Sequence, residues 1–206
     1  MKVLLVNGSP NKEGCTHRAL QEVEKSLQKE GLETEIFWVG KTVKGCTACM
    51  TCKKTGQCIF DDEVNTFASL AEEAEGFIFG SPVYYGAPTG NIQAFMERLF
   101  CSASRHLTYK PAASVVCCRR GGATASFDRL NKFYTISNMP IIASQYWNMV
   151  HGLVREDMEA DVEGLQTMRV LGQNMAWILN CLAAGEKVGH GRPQIEDKIF
   201  TNFVRR

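Results

Sequence analysis

"KVLLVNGSPNKEGCTHRALQEVEKSLQKEG", residues 2–31, sets three kinds of segment end to end: a short apolar run, a turn of small polar residues, and an amphipathic stretch. The run at 2–6 has the composition of a buried strand. Ala19, Val23 and Leu27 then fall on one helical face, and Gly31 supplies a stop. A strand that is apolar at almost every position needs cover on both sides. Joined by a tight turn to a helix, it is the opening unit of a parallel sheet packed between helices.

The same alternation recurs outward along the chain. "ETEIFWV" (33–39) is the next strand, and "DDEVNTFASLAEEAEG" (61–76) is a helix with Asp61 or Asp62 as N-cap and Val64, Phe67 and Leu70 at helical spacing. "GFIFGSPVYYG" (76–86) is a third strand running into a turn, followed by a helix over "NIQAFMERLF" (91–100). "AASVVCC" (112–118) and "MPIIAS" (139–144) are the fourth and fifth strands, separated by the helical "ATASFDRLNKFYTISN" (123–138), and a closing helix covers about 161–183. Five such units predict a doubly wound, three-layer α/β/α domain over residues 1–206, with a five-stranded parallel sheet and a Cys-rich loop at about 44–60.

Composition narrows the function. The 23 basic and 22 acidic residues nearly cancel, leaving +1, so neither nucleic acid nor an anionic membrane is expected as partner. Four apolar residues before Asn7-Gly8 are too few for a signal peptide, and nothing approaches the roughly 20 apolar residues of a membrane span. A cytoplasmic location is expected. There thiols stay reduced, so nine cysteines do not read as a disulfide framework. Metal or redox chemistry gains weight for clustered cysteines, and burial for scattered ones such as Cys101 and Cys181.

In a doubly wound sheet the ligand site lies beyond the carboxyl ends of the strands. The turn after the first strand lacks both the G-x-G-x-x-G and the G-x-x-x-x-G-K-[ST] pattern. It offers Ser9, Asn11 and Thr16 as donors, with Gly8 and Gly14 turning the backbone onto a helix N-terminus: a seat for a phosphate, or a plain helix cap. "VGKTVKG" (39–45) reads as loop. After the third strand, Pro82 and Pro88 stiffen a loop presenting Tyr84 and Tyr85, suited to a planar heterocycle or to packing. After the fourth come Arg119 and Arg120 with Gly121 and Gly122, which either stabilise charge on a reduced ring or form a solvated turn. Tyr146, Trp147, Asn148 and His151 follow the fifth. A lone His is more often structural, and no hydrolase motif appears.

"GCTACMTCKKTGQC" (45–58) holds Cys46, Cys49 and Cys52 in a C-x2-C-x2-C run, with Cys58 five residues on and Gly56 available for the reversal. Four thiolates on one compact loop suit an iron–sulfur cluster. Zinc fits less well, because structural zinc sites more often join two C-x2-C knuckles across a longer insert. A loop that holds nothing is the third reading.

Together "NGSPNKEGCT", "GCTACMTCKKTGQCIFDDE", "GSPVYYGAPTGNIQAFMER", "RRGGA" and "YWNMVHG" resemble, in order and over nearly the whole chain, the flavodoxin-like NADPH-dependent FMN reductases. The likeness is strongest to the branch that includes the iron–sulfur flavoproteins. The resemblance implies a sheet order 2-1-3-4-5, bound FMN, and homodimers or homotetramers. It puts Ser9, Asn11 and Thr16 on the FMN phosphate. Pro82, Val83, Tyr84, Tyr85 and Gly86 would lie along the isoalloxazine, with Arg119, Gly121 and Gly122 approaching from the next strand end. The family commonly has Asn where this chain has Cys15, which leaves Cys15 a backbone N–H to offer. Cys46, Cys49, Cys52 and Cys58 would cage a [4Fe–4S] cluster.

The function implied is an FMN-dependent oxidoreductase, taking electrons from NAD(P)H or a ferredoxin-like donor and passing them to a small acceptor or redox protein. Without a cluster it would be an NAD(P)H:quinone or nitro reductase. A non-catalytic electron carrier is the rival of another class.

Overall fold

The computed structural model describes residues 1–201. Its elements are β1 (Lys2–Asn7), α1 (Cys15–Lys29), β2 (Glu33–Trp38), α2 (Thr51–Thr55), α3 (Glu63–Glu73), β3 (Gly76–Tyr84), β4 (Ala87–Pro88), α4 (Gly90–Ser102), β5 (Ala112–Cys118), α5 (Ala123–Thr135), β6 (Met149–His151) and α6 (Val162–Lys187). Five strands pair in parallel in the order β2-β1-β3-β5-β6, and the two-residue β4 folds back antiparallel on the end of β3. With β4 set aside, this is the 2-1-3-4-5 order that the resemblance implied.

Alternation along the strands divides the interior into two cores. Leu4, Val6, Phe77 and Phe79 face one side, where α3, α4 and α5 bring Phe67, Phe95, Leu99 and Tyr134. Val3, Leu5 and Ile78 face the other, covered by Leu20, Val23 and Leu27 of α1 and by Met168, Leu171 and Met175 of α6. The exit from α1 follows from its composition: Gly31 takes φ +79, and the Leu32 N–H reaches back to the Leu27 carbonyl at 3.1 Å. Asp62 is the N-cap of α3, its carboxylate accepting the Val64 N–H at 3.2 Å.

The fifth strand differs from expectation. Residues 139–144 touch the sheet only briefly, with Ala112 donating to the Pro140 carbonyl and Ile142 donating to that of Ala112, both at 2.9 Å. The break in pairing has a local cause: Pro140 has no N–H to give, and side chains bind the next carbonyls. Asn148 donates to the Ile142 carbonyl at 3.4 Å and Asn174 to that of Ala143 at 2.8 Å. The chain therefore leaves the edge and resumes pairing at β6, against Val116–Cys118. Among the described residues no helix is long and apolar enough to cross a membrane.

Candidate functional site

The loop between β1 and α1 is shaped by its own short side chains. Asn7 Oδ1 accepts the Ser9 N–H at 3.1 Å, Ser9 Oγ accepts that of Asn11 at 3.1 Å, and Asn11 Oδ1 accepts that of Glu13 at 3.3 Å. Trp38 Nε1 donates to the Ser9 carbonyl and Thr89 Oγ1 to that of Gly8, each at 2.8 Å, so the end of β2 and the start of α4 both anchor the loop. None of these groups caps α1. Its N-cap is Gly14, with no side-chain bond and no acid in the first turn. First-turn N–H groups thus lack a side-chain partner at the positive end of the helix. Thr16 is 1 % exposed, and its buried hydroxyl has the Cys117 thiol beside it but no nitrogen or oxygen partner. An unpaired buried hydroxyl costs about 1–3 kcal/mol, and a bound phosphate would relieve it.

Beside this loop lies a cavity of about 590 Å³. Ser9, Asn11, Cys15 and Thr16 form one wall, and Pro82, Val83 and Tyr84 at the end of β3 form another, with Arg119 between. Tyr85, Gly86, Gly121 and Gly122 stand outside these walls. Tyr85 (φ +51) and Gly86 (φ +74) make the β3–β4 turn, and Tyr85 is fully exposed. Gly122 acts from behind. At φ +89, a Cβ there would sit 2.8 Å from Gly86 Cα and 2.9 Å from Val83 Cγ1, so only glycine lets the 119–122 turn close on the end of β3 and the turn that follows it. Burial pushes the Cys15 thiol up.

The remaining wall, Gly152–Glu156, escaped the sequence reading. Arg155 ties it to α1, with Nη1 3.2 Å from the Glu13 carbonyl and Nη2 2.8 Å from Gln21 Oε1. The sequence signal was a Gly directly after the last strand. His151 does not enter this wall; its N–H donates to Asp161 Oδ2 at 2.6 Å.

A second, smaller cavity of about 60 Å³ is lined by Cys46, Cys49, Cys52 and Cys58, together with Cys101 from α4. Positive φ at Ala48 (53°), Met50 (59°) and Gly56 (73°) coils the loop around it, with the single turn of α2 carrying Cys52. All nine cysteines are free. No three His, Cys, Asp or Glu side chains among the described residues converge on a single metal ion. Cys101 and Cys181, expected to be buried, are both exposed: each lies on the outer side of its helix, and Cys101 faces the cysteine loop. The cysteine cavity shares no wall residue with the larger one. Arg98 and Cys101 lie eight and eleven positions beyond Gly90, about 12 and 16 Å along α4 from its start.

Residues 1–153 match the family described as NADPH-dependent FMN reductase. The chain belongs to that family. It is a flavin-dependent oxidoreductase, and the uncapped α1, the orphaned Thr16 hydroxyl and the adjoining cavity fit FMN. The chain is 30% identical over 191 residues to an iron-sulfur flavoprotein of Methanocaldococcus jannaschii, covering 88% of this chain and 99% of that one. Among solved structures it is similar to RosB with a bound 8-demethyl-8-formylriboflavin-5'-phosphate intermediate, at TM-score 0.71 and 14% identity over 100% of this chain and 94% of the other. A flavodoxin from the domain Archaea superposes at TM-score 0.61 and 14% identity, over 87% of this chain and 99% of its own. The fold of this FMN reductase relative is therefore flavodoxin-like.

Proposed function

We propose that this chain takes electrons from NAD(P)H or a ferredoxin-like protein into FMN and passes them, through a [4Fe–4S] cluster held by Cys46, Cys49, Cys52 and Cys58, to a small-molecule or protein acceptor in the cytoplasm. The observation that carries the reading is the gathering of these four thiols around one cavity. Bound FMN supplies hydride acceptance, and a cluster supplies one-electron steps. The protein supplies placement. The N-terminus of α1 and the Thr16 hydroxyl would hold the phosphate, Val83 and Tyr84 would shield the flavin from water, and Arg119 would supply positive charge to it. Tyr84, Tyr85, Tyr146 and Trp147 are each more than half exposed, which supports a homodimer or homotetramer covering them.

Anaerobic purification followed by visible spectroscopy and by iron and acid-labile sulfide analysis tests the proposal. Broad absorbance beneath the flavin bands, with iron and sulfide in equal amounts, is expected. Resolved flavin bands with neither element would sink the cluster. The second reading, an FMN-only NAD(P)H:quinone or nitro reductase, is favoured by the exposure of Cys46 and Cys49, and that analysis separates the two. Steady-state turnover of NADH or NADPH distinguishes either enzyme from a carrier. A Ser9→Ala/Thr16→Ala protein should bind FMN at least about tenfold more weakly; wild-type affinity would refute the phosphate seat.

A further inference from the structure

Arg98 is the largest fully buried side chain of the molecule, on a helix whose sequence reads as an ordinary amphipathic one. Its side chain is 1 % exposed, and its donors all point into the cysteine segment. Nη1 and Nη2 form a fork on Asp62 at 2.8 and 2.7 Å, Nη1 also reaches the Lys44 carbonyl at 3.2 Å, and Nη2 lies 3.5 Å from that of Phe60. The remaining donor, Nε, points at Cys58 Sγ at 3.1 Å. One guanidinium thus binds residues on both sides of the four cysteines, Lys44 before them and Phe60 and Asp62 after. A plain core ion pair would need only the fork on Asp62.

We propose that Arg98 is the positioning residue of the cysteine cage: it closes the loop at both ends, and its Nε–H···Sγ bond to Cys58 raises the reduction potential of the cluster held there. The inference rests on the cluster reading above. A cluster gains negative charge on reduction, and part of that charge resides on its ligand sulfurs. A charge-assisted donor at one sulfur stabilises the reduced state more than the oxidised one. Asp62 fixes the plane of the guanidinium, so the donor is aimed before any electron arrives.

The experiment uses the full chain, purified anaerobically, as wild type, Arg98→Lys and Arg98→Gln. Wild-type protein without iron or sulfide removes the cluster reading and this inference together; loaded wild type leaves the variants to decide. Both variants should keep wild-type FMN content and show a lower cluster midpoint with altered electron paramagnetic resonance, Arg98→Gln shifted further because it also loses the charge. Either variant with wild-type iron, midpoint and resonance overturns the proposal. If Arg98→Gln carries no iron, Arg98→Lys decides. If neither carries iron while FMN content is unchanged and the protein still unfolds cooperatively, the closing role stands. Loss of fold and FMN together in both would make Arg98 a core residue only and overturn it.

Discussion

Two of the cavities at the loops of this sheet, the one beside the β1–α1 loop and the one inside the cysteine loop, are built in opposite ways. The larger one is framed by several elements at once: the β1–α1 loop and the start of α1, the end of β3, and the chain after β6. The smaller is walled by side chains on a coiled loop and held by one buried guanidinium from a distant helix. A site framed by several elements inherits its shape from the fold, so that shape should survive most single side-chain changes. The cysteine loop is braced by Asn65 on Cys58 and Phe60 and by Arg105 on the Gly56 carbonyl, but its one buried ion pair, Arg98–Asp62, is the costliest single support to lose.

Asp62→Ala is the sharpest way to break that contrast. It leaves the Arg98 guanidinium buried without its counter-charge and removes the cap of α3. Removing one partner of such a pair, with Asp62 still 23% exposed to solvent, should cost about 2–3 kcal/mol in urea unfolding. Asp62→Asn keeps an oxygen for the Val64 N–H and should cost less. A loss below about 1 kcal/mol for the alanine variant would mean that the cage is not held through this pair.

For the flavin cavity the weak point is Gly122. Alanine there meets both a φ of +89 and the Gly86 backbone, while a Cβ at Gly121 meets nothing within 4 Å. Gly122→Ala should cost about 1–2 kcal/mol and weaken FMN binding, and Gly121→Ala should stay within about 0.5 kcal/mol of wild type. Equal effects at the two glycines would show that the close approach of the 119–122 turn to the end of β3 does not matter.

The same contrast explains what was legible. The strand order could be read because each unit is local: an apolar run, a turn, a helix. The four cysteines were visible as spacing, but Arg98 was not, because nothing in "NIQAFMERLF" says which partner 36 residues upstream an arginine will bind. The fifth strand went astray for a related reason. "MPIIAS" has strand composition, yet Asn148 and Asn174 bind its carbonyls, and Asn174 comes from α6. Gly152–Glu156 lies in irregular chain, where no periodicity marks a wall.

A smaller effect tests how that irregular wall is held. Glu22 on α1 accepts Arg18 at 2.8 Å and Arg169 of α6 at 2.7 Å, and Arg18 continues to Glu159 at 2.6 Å, just beyond the wall. Burial alone would push the Glu22 carboxyl up, but the bonds from Arg169 and Arg18 outweigh it and hold its pKa below the ordinary 4.5. The folded value lies below the unfolded one. The clamp therefore contributes in full above about pH 4.5 and fades as the pH falls through the lowered value, where the folded protein takes up the proton. Urea unfolding followed from about pH 6 to about pH 3 should lose about 1 kcal/mol along this limb. Glu22→Gln should start lower and run flatter. If its acid limb is as steep as that of the wild type, the ion pairs of Arg18 are not what fastens the wall to α1, and the hydrogen bonds of Arg155 to Glu13 and Gln21 hold it alone.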